Sequence, residues 1–314
     1  MTSLQTNFQD SEIWIAATEW VKDIFSSLGY IKGTIPVPDT NSIKEIRRSA
    51  KAIETHAFDV GLLFTDSFSS ALLFYLAKIP QRWGYKKDLR RLLLTKSVLA
   101  QNKMPARHQV DHYLDLISGL GLETTPPKLI FPLKKEEKKR AGEYLVSCGR
   151  ETRYPLVVFS PGASYGPSKR WPASSFAQLG DLLQKRHSVD LAIIGSSEET
   201  ELAEEISSGL VVKPMILTGK TFLRLTASIV DQAALFVTND SGPMHMANAL
   251  GIPTVAIFGP TDPERTRPYQ EPASVVKKDV PCSPCLYREC PFDHQCMSGI
   301  RPADVLAACE SYLK

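Results

Sequence analysis

Residues 235–251 read LFVTNDSGPMHMANALG, an apolar run followed by a polar turn and an amphipathic stretch. The run predicts a buried β-strand, and the stretch after the turn predicts an α-helix. The same alternation recurs from residue 156 onward, where the runs LVVFS, LAIIG, MILTG and TVAIFG stand beside segments of helical period. Apolar strands that alternate with amphipathic helices are typical of a parallel sheet covered on both faces. The second half therefore predicts a Rossmann-like α/β domain.

The first half shows the same α/β pattern. EIWIAA, GTIPVP and DVGLLFT are strand candidates, and SIKEIRRSAKAIETH between them places its apolar residues on one helical face. A charged run that ends in turn residues, Lys134 to Pro155, predicts an inter-domain helix and linker. We expect two facing Rossmann-like domains with a cleft between them, residues 1–140 and 150–314. We expect the last helical segment, Ala303 to Leu313, to pack back on the first domain.

Composition excludes several classes of protein. The 314 residues are 43% hydrophobic and 23% charged, which is typical of a folded globular chain and excludes a disordered or fibrous one. The apolar runs are too short to span a bilayer. The first residues lack the pattern of a secretory signal, so we expect a cytoplasmic protein. A net charge of +3 is too weak to imply nucleic-acid binding.

The turn Asn239-Asp240-Ser241-Gly242 follows a strand and begins a helix, and the carboxyl ends of parallel strands border the ligand crevice of such a sheet. We expect Asp240 to cap the helix. The amides of Ser241 and Gly242, with the positive end of the helix dipole behind them, then favour a phosphate or diphosphate. His245 falls on the same helical face as Ser241. The alternative interpretation is an ordinary cap with a buried histidine.

Two further strand ends carry polar groups. SPGASYGPSKRWP combines Gly162 and Gly166 with a lysine, Lys169, which suggests phosphate binding, although a surface loop with solvated basic residues is the alternative. The P-loop and dinucleotide fingerprints are absent, which disfavours those chemistries. After LAIIGSS, Glu199 can accept hydrogen bonds from ribose hydroxyls. The alternative is that Glu199 is an ordinary acidic residue in the first turn of a helix, where the helix dipole favours negative charge.

With FGPTDPERTRPY (258–269) and PCSPCLYREC (281–290), these motifs resemble those of glycosyltransferase family 9, which adds heptose to the lipopolysaccharide core. The resemblance covers nearly the whole chain, including DSFSSALLFYLAKIPQRWGY (66–85). It implies a GT-B fold that holds ADP-heptose mainly in the C-terminal domain. It also implies a phosphorylated Kdo-lipid A or heptosyl-Kdo-lipid A acceptor at the inner-membrane surface, and inverting transfer that needs no cofactor.

The resemblance also assigns donor-binding residues. Lys169 meets the diphosphate with Ser164 close by, and Glu199 reads the ribose or adenosine end. The diphosphate and sugar pocket is lined by Asp240, Ser241, Gly242 and His245. Cationic and amide donors would stabilise the leaving ADP, and the acceptor hydroxyl needs a general base.

That base is where the sequence departs from the family, which begins with a buried strand and a Gly-Asp loop that carries the expected base. Here TSLQTNFQDSEIWIAA resembles the end of the first helix and the second strand. We therefore expect an interrupted sheet, with a cost of about 1 to 3 kcal/mol for each buried unpaired group, and ADP-sugar binding with poor transfer. Asp66 is a weak substitute for the base, and a helix cap is its preferred interpretation.

Between residues 82 and 107 eight cations accompany one acid. Such a patch can hold a phosphorylated acceptor and an anionic membrane surface. A solvated basic face is the alternative, and single-stranded RNA is a third and weaker one. The acceptor-binding candidates are Arg82, Arg90, Arg91 and His108.

Cysteines 282, 285, 290 and 296 follow the pattern C-x2-C-x4-C-x5-C. Four thiolates within fifteen residues can hold a structural zinc ion, although the second pair is irregularly spaced and the resemblance implies no metal. An iron–sulfur cluster is less favoured. The zinc ligand candidates are Cys282, Cys285, Cys290 and Cys296.

Two other functions stay open at this point. A non-catalytic protein could bind a nucleotide sugar in the same cleft, and turnover assays would separate it from an enzyme. A nicotinamide-dependent oxidoreductase could use a similar fold, although the missing glycine fingerprint disfavours it.

Overall fold

The computed structural model describes residues 1–25, 27–38, 42–100 and 107–313. The chain divides into two compact units, Met1–Pro127 (unit 1) and Lys128–Lys314 (unit 2). The charged helix α6 (Lys135–Ser147), which the sequence analysis assigned to a linker, lies within unit 2. It packs there because Glu137 accepts a hydrogen bond from Arg224 Nη2 at 2.7 Å and Lys138 pairs with Asp231 at 2.8 Å.

Unit 1 contains two separate parallel sheets. In the described part of the chain, β1 (Ile13–Ala17) pairs with β2 (Ile31–Pro36), and β3 (Val60–Leu63), β4 (Gln81–Lys86) and β5 (Lys96–Leu99) form the other sheet in that order. Strands β1 and β2 are both edges of the first sheet, and β3 and β5 are the edges of the second. The helices are α1 (Thr2–Asn7), α2 (Lys22–Phe25), α3 (Ile43–Glu54), α4 (Phe68–Leu76) and α5 (Gln109–Gly119), with 3₁₀ turns at Glu19–Val21 and Asp88–Leu93.

The described part of unit 1 has two small hydrophobic cores. Ile35, Ile53 and Leu73 lie in the first, and Tyr85 and Leu116 lie in the second. Strand β1 is apolar in sequence, yet none of its residues is fully buried. The two cores are correspondingly smaller than the core of unit 2.

Unit 2 is a six-stranded parallel sheet in the order β11-β10-β9-β6-β7-β8. All residues of β6, β9 and β10 are buried, because helices cover both faces. The predicted Rossmann-like domain is confirmed. The strands are β6 (Leu156–Ser160), β7 (Asp190–Ile193), β8 (Met215–Ile216), β9 (Leu235–Asn239), β10 (Thr254–Phe258) and β11 (Ala273–Lys277). The remaining helices are α7 (Ala173–His187), α8 (Thr200–Ser208), α9 (Leu223–Val230), α10 (Gly242–Ala249), α11 (Pro263–Thr266), α12 (Gln295–Ser298) and α13 (Pro302–Glu310), with 3₁₀ turns at Pro167–Lys169 and Ser197–Glu199.

The last helix packs on unit 2, so the expectation that it crosses to the first domain is wrong. Val305, Leu306 and Cys309 of α13 are buried in the core of unit 2. Glu310 also pairs with Arg186 of α7 at 2.9 Å. Among the described residues, none of the helices is both long and apolar enough to cross a lipid bilayer.

Candidate functional site

Unit 2 has a hollow of about 230 Å³ where the sheet turns into two loops. One wall is the loop that follows β6, and the other is the turn between β9 and α10. Both lie at carboxyl ends of neighbouring parallel strands, where α/β sheets bind their ligands. The lining residues are Ser164, Tyr165, Lys169, Asp240, Ser241, Gly242 and His245. The sequence analysis predicted six of these seven residues, and Tyr165 is the addition.

An ion pair joins the two walls of the hollow. Lys169 Nζ lies 2.5 Å from Asp240 Oδ2, and the same oxygen accepts a hydrogen bond from Thr261 Oγ1 at 2.7 Å. The ammonium also lies 4.7 Å from the centre of the Tyr165 ring. The expectation that Asp240 caps α10 is wrong, because Ser241 occupies the N-cap position and the Asp240 carboxylate points to Lys169 instead.

The N-terminus of α10 forms the other polar surface of the hollow. Gly242 is the first residue of the helix, and a Cβ there would meet no atom within 4 Å. The first N–H groups of a helix have no partner within the helix, and the dipole makes this end positive. Ser241 and His245 border the same space. A cation and a helix N-terminus that face one hollow suit an anion such as a diphosphate.

The loop after β6 is held from outside by a later segment. Gly166 has φ +155°, and a Cβ there would lie 2.4 Å from the carbonyl oxygen of Arg288. Ser168 N donates to that same carbonyl at 3.1 Å, and the Tyr165 hydroxyl donates to Leu286 O at 2.5 Å. Residues 286–288 therefore fix the loop that carries Lys169. The sequence analysis missed this support, because hydrogen bonds to the backbone leave no motif.

A buried asparagine joins the two walls. Asn239 Nδ2 donates to Pro161 O at 2.6 Å, and its Oδ1 accepts from Trp171 N at 3.2 Å. Asn239 is fully buried, so both bonds are made away from water. The asparagine of the NDSG turn therefore has a structural function and does not line the hollow.

Glu199 lies on the third strand end, beside the same loop. Its Oε2 accepts a hydrogen bond from Ser196 N at 2.7 Å. A Cβ on Gly162 would lie 1.6 Å from Oε1, and one on Gly195 would lie 2.6 Å from Oε2. The Glu199 carboxylate fills the space that a side chain at position 162 or 195 would occupy, so the observed arrangement needs glycine at both positions. Polar groups that follow three neighbouring strands, β9, β6 and β7, therefore lie together at the carboxyl ends of these strands.

The four acceptor candidates in unit 1 are not equally accessible. Arg91 is exposed. Arg82 donates to backbone carbonyls, including Leu93 O at 2.7 Å. Arg90 is 1% exposed, and His108 is a buried N-cap whose Nδ1 accepts from Val110 N. The expectation that these residues form one surface patch is therefore wrong, because Arg90 and His108 are buried inside unit 1. Lys103 lies outside the described residues.

Asp66 is not the helix cap that the sequence analysis preferred. Ser67 is the N-cap of α4, and its hydroxyl accepts from Ser70 N at 3.2 Å. The Asp66 carboxylate is 40% exposed and lies 3.5 Å from Arg90 Nη1 and 3.9 Å from His112 Nε2. The carboxylate is therefore partly exposed and lies beside a buried guanidinium and an imidazole.

The four clustered cysteines line one cavity of about 170 Å³ and form no disulfide. Within the described ranges, no group of three or more histidine, cysteine, aspartate or glutamate side chains is placed to hold a metal ion. The expected zinc ligand set is therefore not assembled. Cys296 belongs to the core of unit 2, whereas Cys282 is exposed on the loop. Burial, with smaller contributions from the other three thiols, raises the pKa of Cys296 to about 11.

Comparison with known proteins gives consistent matches. Residues 46–295 match the model of glycosyltransferase family 9 (heptosyltransferase). Lipooligosaccharide heptosyltransferase 2 of Campylobacter jejuni is 32% identical over 83% of this chain and 77% of its own length. Among solved structures, the ADP-heptose lipopolysaccharide heptosyltransferase II of Escherichia coli is 27% identical with a TM-score of 0.82, over 99% of this chain and 92% of that one. A family 9 glycosyltransferase of Veillonella parvula is 26% identical with a TM-score of 0.89, over 99% and 91%.

Proposed function

This chain belongs to glycosyltransferase family 9, the heptosyltransferases, and we propose that it transfers heptose from ADP-heptose to the inner core of lipopolysaccharide. Its architecture is GT-B, and it is a glycosyltransferase. The observation that carries the proposal is the hollow of unit 2, where Lys169 and the N-terminus of α10 face the same space. The Lys169 ammonium, held in place by Asp240, and the N-terminus of α10 offer charge-assisted hydrogen-bond donors that suit an ADP diphosphate.

The donor site has a direct function in the reaction. As the bond between heptose and ADP breaks, negative charge accumulates on the leaving diphosphate. Groups that are already in position when that charge develops lower the barrier most. Lys169 is held by Asp240, and the amides of the α10 N-terminus are held by the helix. Glu199, beside Gly162, accepts hydrogen bonds from the ribose.

The acceptor is a phosphorylated Kdo-lipid A or heptosyl-Kdo-lipid A, and the protein acts on it at the cytoplasmic surface of the inner membrane. The exposed Arg91 is the candidate that meets its phosphate or carboxylate groups. Asp66 is the candidate general base, because its carboxylate is partly exposed and close to His112. A base on the face opposite the leaving group gives inversion at the anomeric carbon.

The two other functions considered from the sequence gain no support. The matched relatives reported above are heptosyltransferases or members of their family, not oxidoreductases. A protein that binds ADP-heptose without transferring it would share the donor hollow, and turnover separates the two.

The test is transfer itself. The full chain is incubated with ADP-heptose and heptose-deficient core saccharide that has been freed of lipid, and the product is analysed by mass spectrometry. We expect one added heptose for each ADP released. Release of ADP without a mass increase of the saccharide, or no ADP release at all, would contradict the proposal.

A further inference from the structure

The 3₁₀ turn Asp88–Leu93 presents two leucines to solvent. With three residues per turn, Leu89 and Leu92 lie on one side of it. They are 70% and 72% exposed. Arg90, between them in sequence, is 1% exposed, so the polar residue points inward and the apolar residues point outward. This is the reverse of what a water-exposed segment normally shows.

The inward position of Arg90 fixes this orientation. Its Nη1 donates to Thr65 O at 2.7 Å and lies 3.5 Å from Asp66. A Cβ on Gly84 of β4 would lie 3.3 Å from Nη2, so the guanidinium lies against the neighbouring strand. Because the buried Arg90 is held by Thr65 O and by Asp66, a rotation of the turn that moved its leucines inward would take the guanidinium away from both partners.

A third exposed leucine lies beside the strand that leads into this turn. Leu99, 67% exposed, ends β5 directly beside Lys86 of β4 in the sheet register. Lys86, Lys87 and Arg91, which are close to Leu89 and Leu92 in sequence, are also exposed. In sequence, Asp88 is the single acidic residue between positions 81 and 100. We call the surface of Leu89, Leu92 and Leu99 the leucine surface.

We propose that the leucine surface, with its flanking cations, docks unit 1 on an anionic lipid bilayer. Leucines that enter the interfacial region of a membrane leave water, and lysines beside them meet lipid phosphates. Exposed leucines beside lysines match the interfacial region of an anionic membrane, whereas a merely solvated basic face needs no apolar residues. The inference deepens the proposed function, since it identifies where the enzyme meets the membrane that holds its acceptor.

The experiment measures sedimentation of the full chain with vesicles. Equimolar phosphatidylcholine and phosphatidylglycerol vesicles are compared with pure phosphatidylcholine vesicles. We expect binding to the mixed vesicles that falls at least about tenfold in the double variant Leu89→Ser, Leu92→Ser. In Lys86→Gln, Lys87→Gln the preference for anionic vesicles is expected to fall and salt sensitivity to decrease.

The matched control removes an exposed apolar pair from the other unit. Val211 and Val212 are 84% and 58% exposed, and Val211→Ser, Val212→Ser should bind vesicles like the wild type. Circular dichroism melts verify that each variant is folded. Three results would overturn the proposal: equal binding by the leucine variant and the wild type, retention of single-stranded RNA instead of vesicles, or a dimer that the leucine variant dissociates without any vesicle binding.

Activity on a lipid-free acceptor separates this inference from the proposed function. The leucine variant should transfer heptose to the delipidated saccharide at the wild-type rate. Loss of transfer by the wild type on that saccharide would reject the function whatever the vesicles show. Normal transfer by the wild type without vesicle binding would reject the docking surface and leave the proposed function standing.

Discussion

Lys169 Nζ contacts Asp240 Oδ2 at 2.5 Å although the two residues are 71 positions apart in the chain. Their side chains are 12% and 6% exposed, so the pair is formed largely out of water. Thr261 donates to the same carboxylate oxygen, which holds Asp240 in turn. Asp240 therefore positions the ammonium that faces the hollow, and its contribution to donor binding acts through Lys169.

The first prediction is that Lys169→Gln weakens ADP binding by about 10- to 100-fold, the range expected for a charge-assisted hydrogen bond. Isothermal titration calorimetry measures it. Lys185→Gln, an exposed lysine of α7, is the control and should leave the affinity unchanged. If Asp240 acts through Lys169, adding Asp240→Asn to Lys169→Gln should weaken binding little further. Unchanged ADP affinity in Lys169→Gln would show that the Lys169 ammonium does not contribute to donor binding.

The second prediction concerns Gly162, where a Cβ would lie 1.6 Å from Glu199 Oε1. Gly162→Ala should displace the Glu199 carboxylate, which is the flexible end of its side chain, so stability should change little. ADP affinity should fall by about the same factor as in Glu199→Gln, and the double variant should be no worse than either. Calorimetry and thermal melts measure the two effects.

Gly29→Ala is the matched control for this prediction, because a Cβ there meets nothing within 4 Å. It should change neither ADP affinity nor the melting temperature by a measurable amount. A normal affinity in Gly162→Ala would mean that Glu199 does not contact the donor.

The continuous apolar runs of unit 2 predicted strands that are buried on both faces, whereas β1, β2 and β3 were also predicted although they are only partly buried. LVVFS and TVAIFG are continuous apolar runs, and all residues of β6 and β10 are buried. Strands β4, β5 and β11 were not anticipated. QRWGYK, KSVL and ASVVK mix charges with apolar residues, because these strands are partly exposed. A half-exposed strand in a basic segment gives no apolar run to detect.

The sequence predicted those site residues that directly follow the carboxyl end of a strand. Ser164, Lys169 and His245 line one hollow because parallel strands end together. The function of Asp240 was not predictable, since a capping rule uses only neighbours in sequence and its partner is Lys169. Tyr165 and Thr261 were missed for the same reason, because each acts through a contact between distant segments.

The third prediction uses the ion pair of Glu137 with Arg224, in which the hydrogen bond from Arg224 lowers the pKa of Glu137 to about 2. A carboxyl group with a depressed pKa in the folded state contributes stability above its unfolded pKa and loses it as the pH falls toward the folded value. We therefore expect the melting temperature of the wild type to fall from about pH 5 downward more steeply than that of Glu137→Gln.

Glu143→Gln is the control on the same helix. Glu143 is 64% exposed and its nearest lysine nitrogen lies 3.8 Å away, so its pair is weak. This variant should follow the pH dependence of the wild type in the same circular dichroism melts. Parallel curves for wild type and Glu137→Gln would show that the pair does not couple folding to protonation.

The fourth prediction is an order of thiol reactivity. Burial raises the pKa of Cys296 to about 11 and that of Cys309 to about 12, so few thiolates form at neutral pH. Iodoacetamide should modify the exposed Cys282 first and these two last, as followed by peptide mass spectrometry. In denaturing urea all six cysteines should react at similar rates. Equal rates for Cys282 and Cys296 in the folded protein would contradict the structure of the loop.

The fifth prediction tests Asp66 as the general base. If its carboxylate accepts the proton of the acceptor hydroxyl, Asp66→Asn should lower kcat by about 10²- to 10⁴-fold and leave ADP affinity unchanged. The acidic limb of the pH–rate profile should disappear as well. Asp10→Asn, an exposed aspartate of the same unit, should keep the wild-type kcat.

A structural function of Asp66 gives a different result. Its Oδ1 lies 3.5 Å from the buried Arg90, so the neutral variant leaves that guanidinium with less compensation. Loss of melting temperature with kcat and pH profile intact would make Asp66 a partner of Arg90 and exclude it as the base. Because a base changes the pH profile and an ion-pair partner changes stability, measuring both on one variant decides between them.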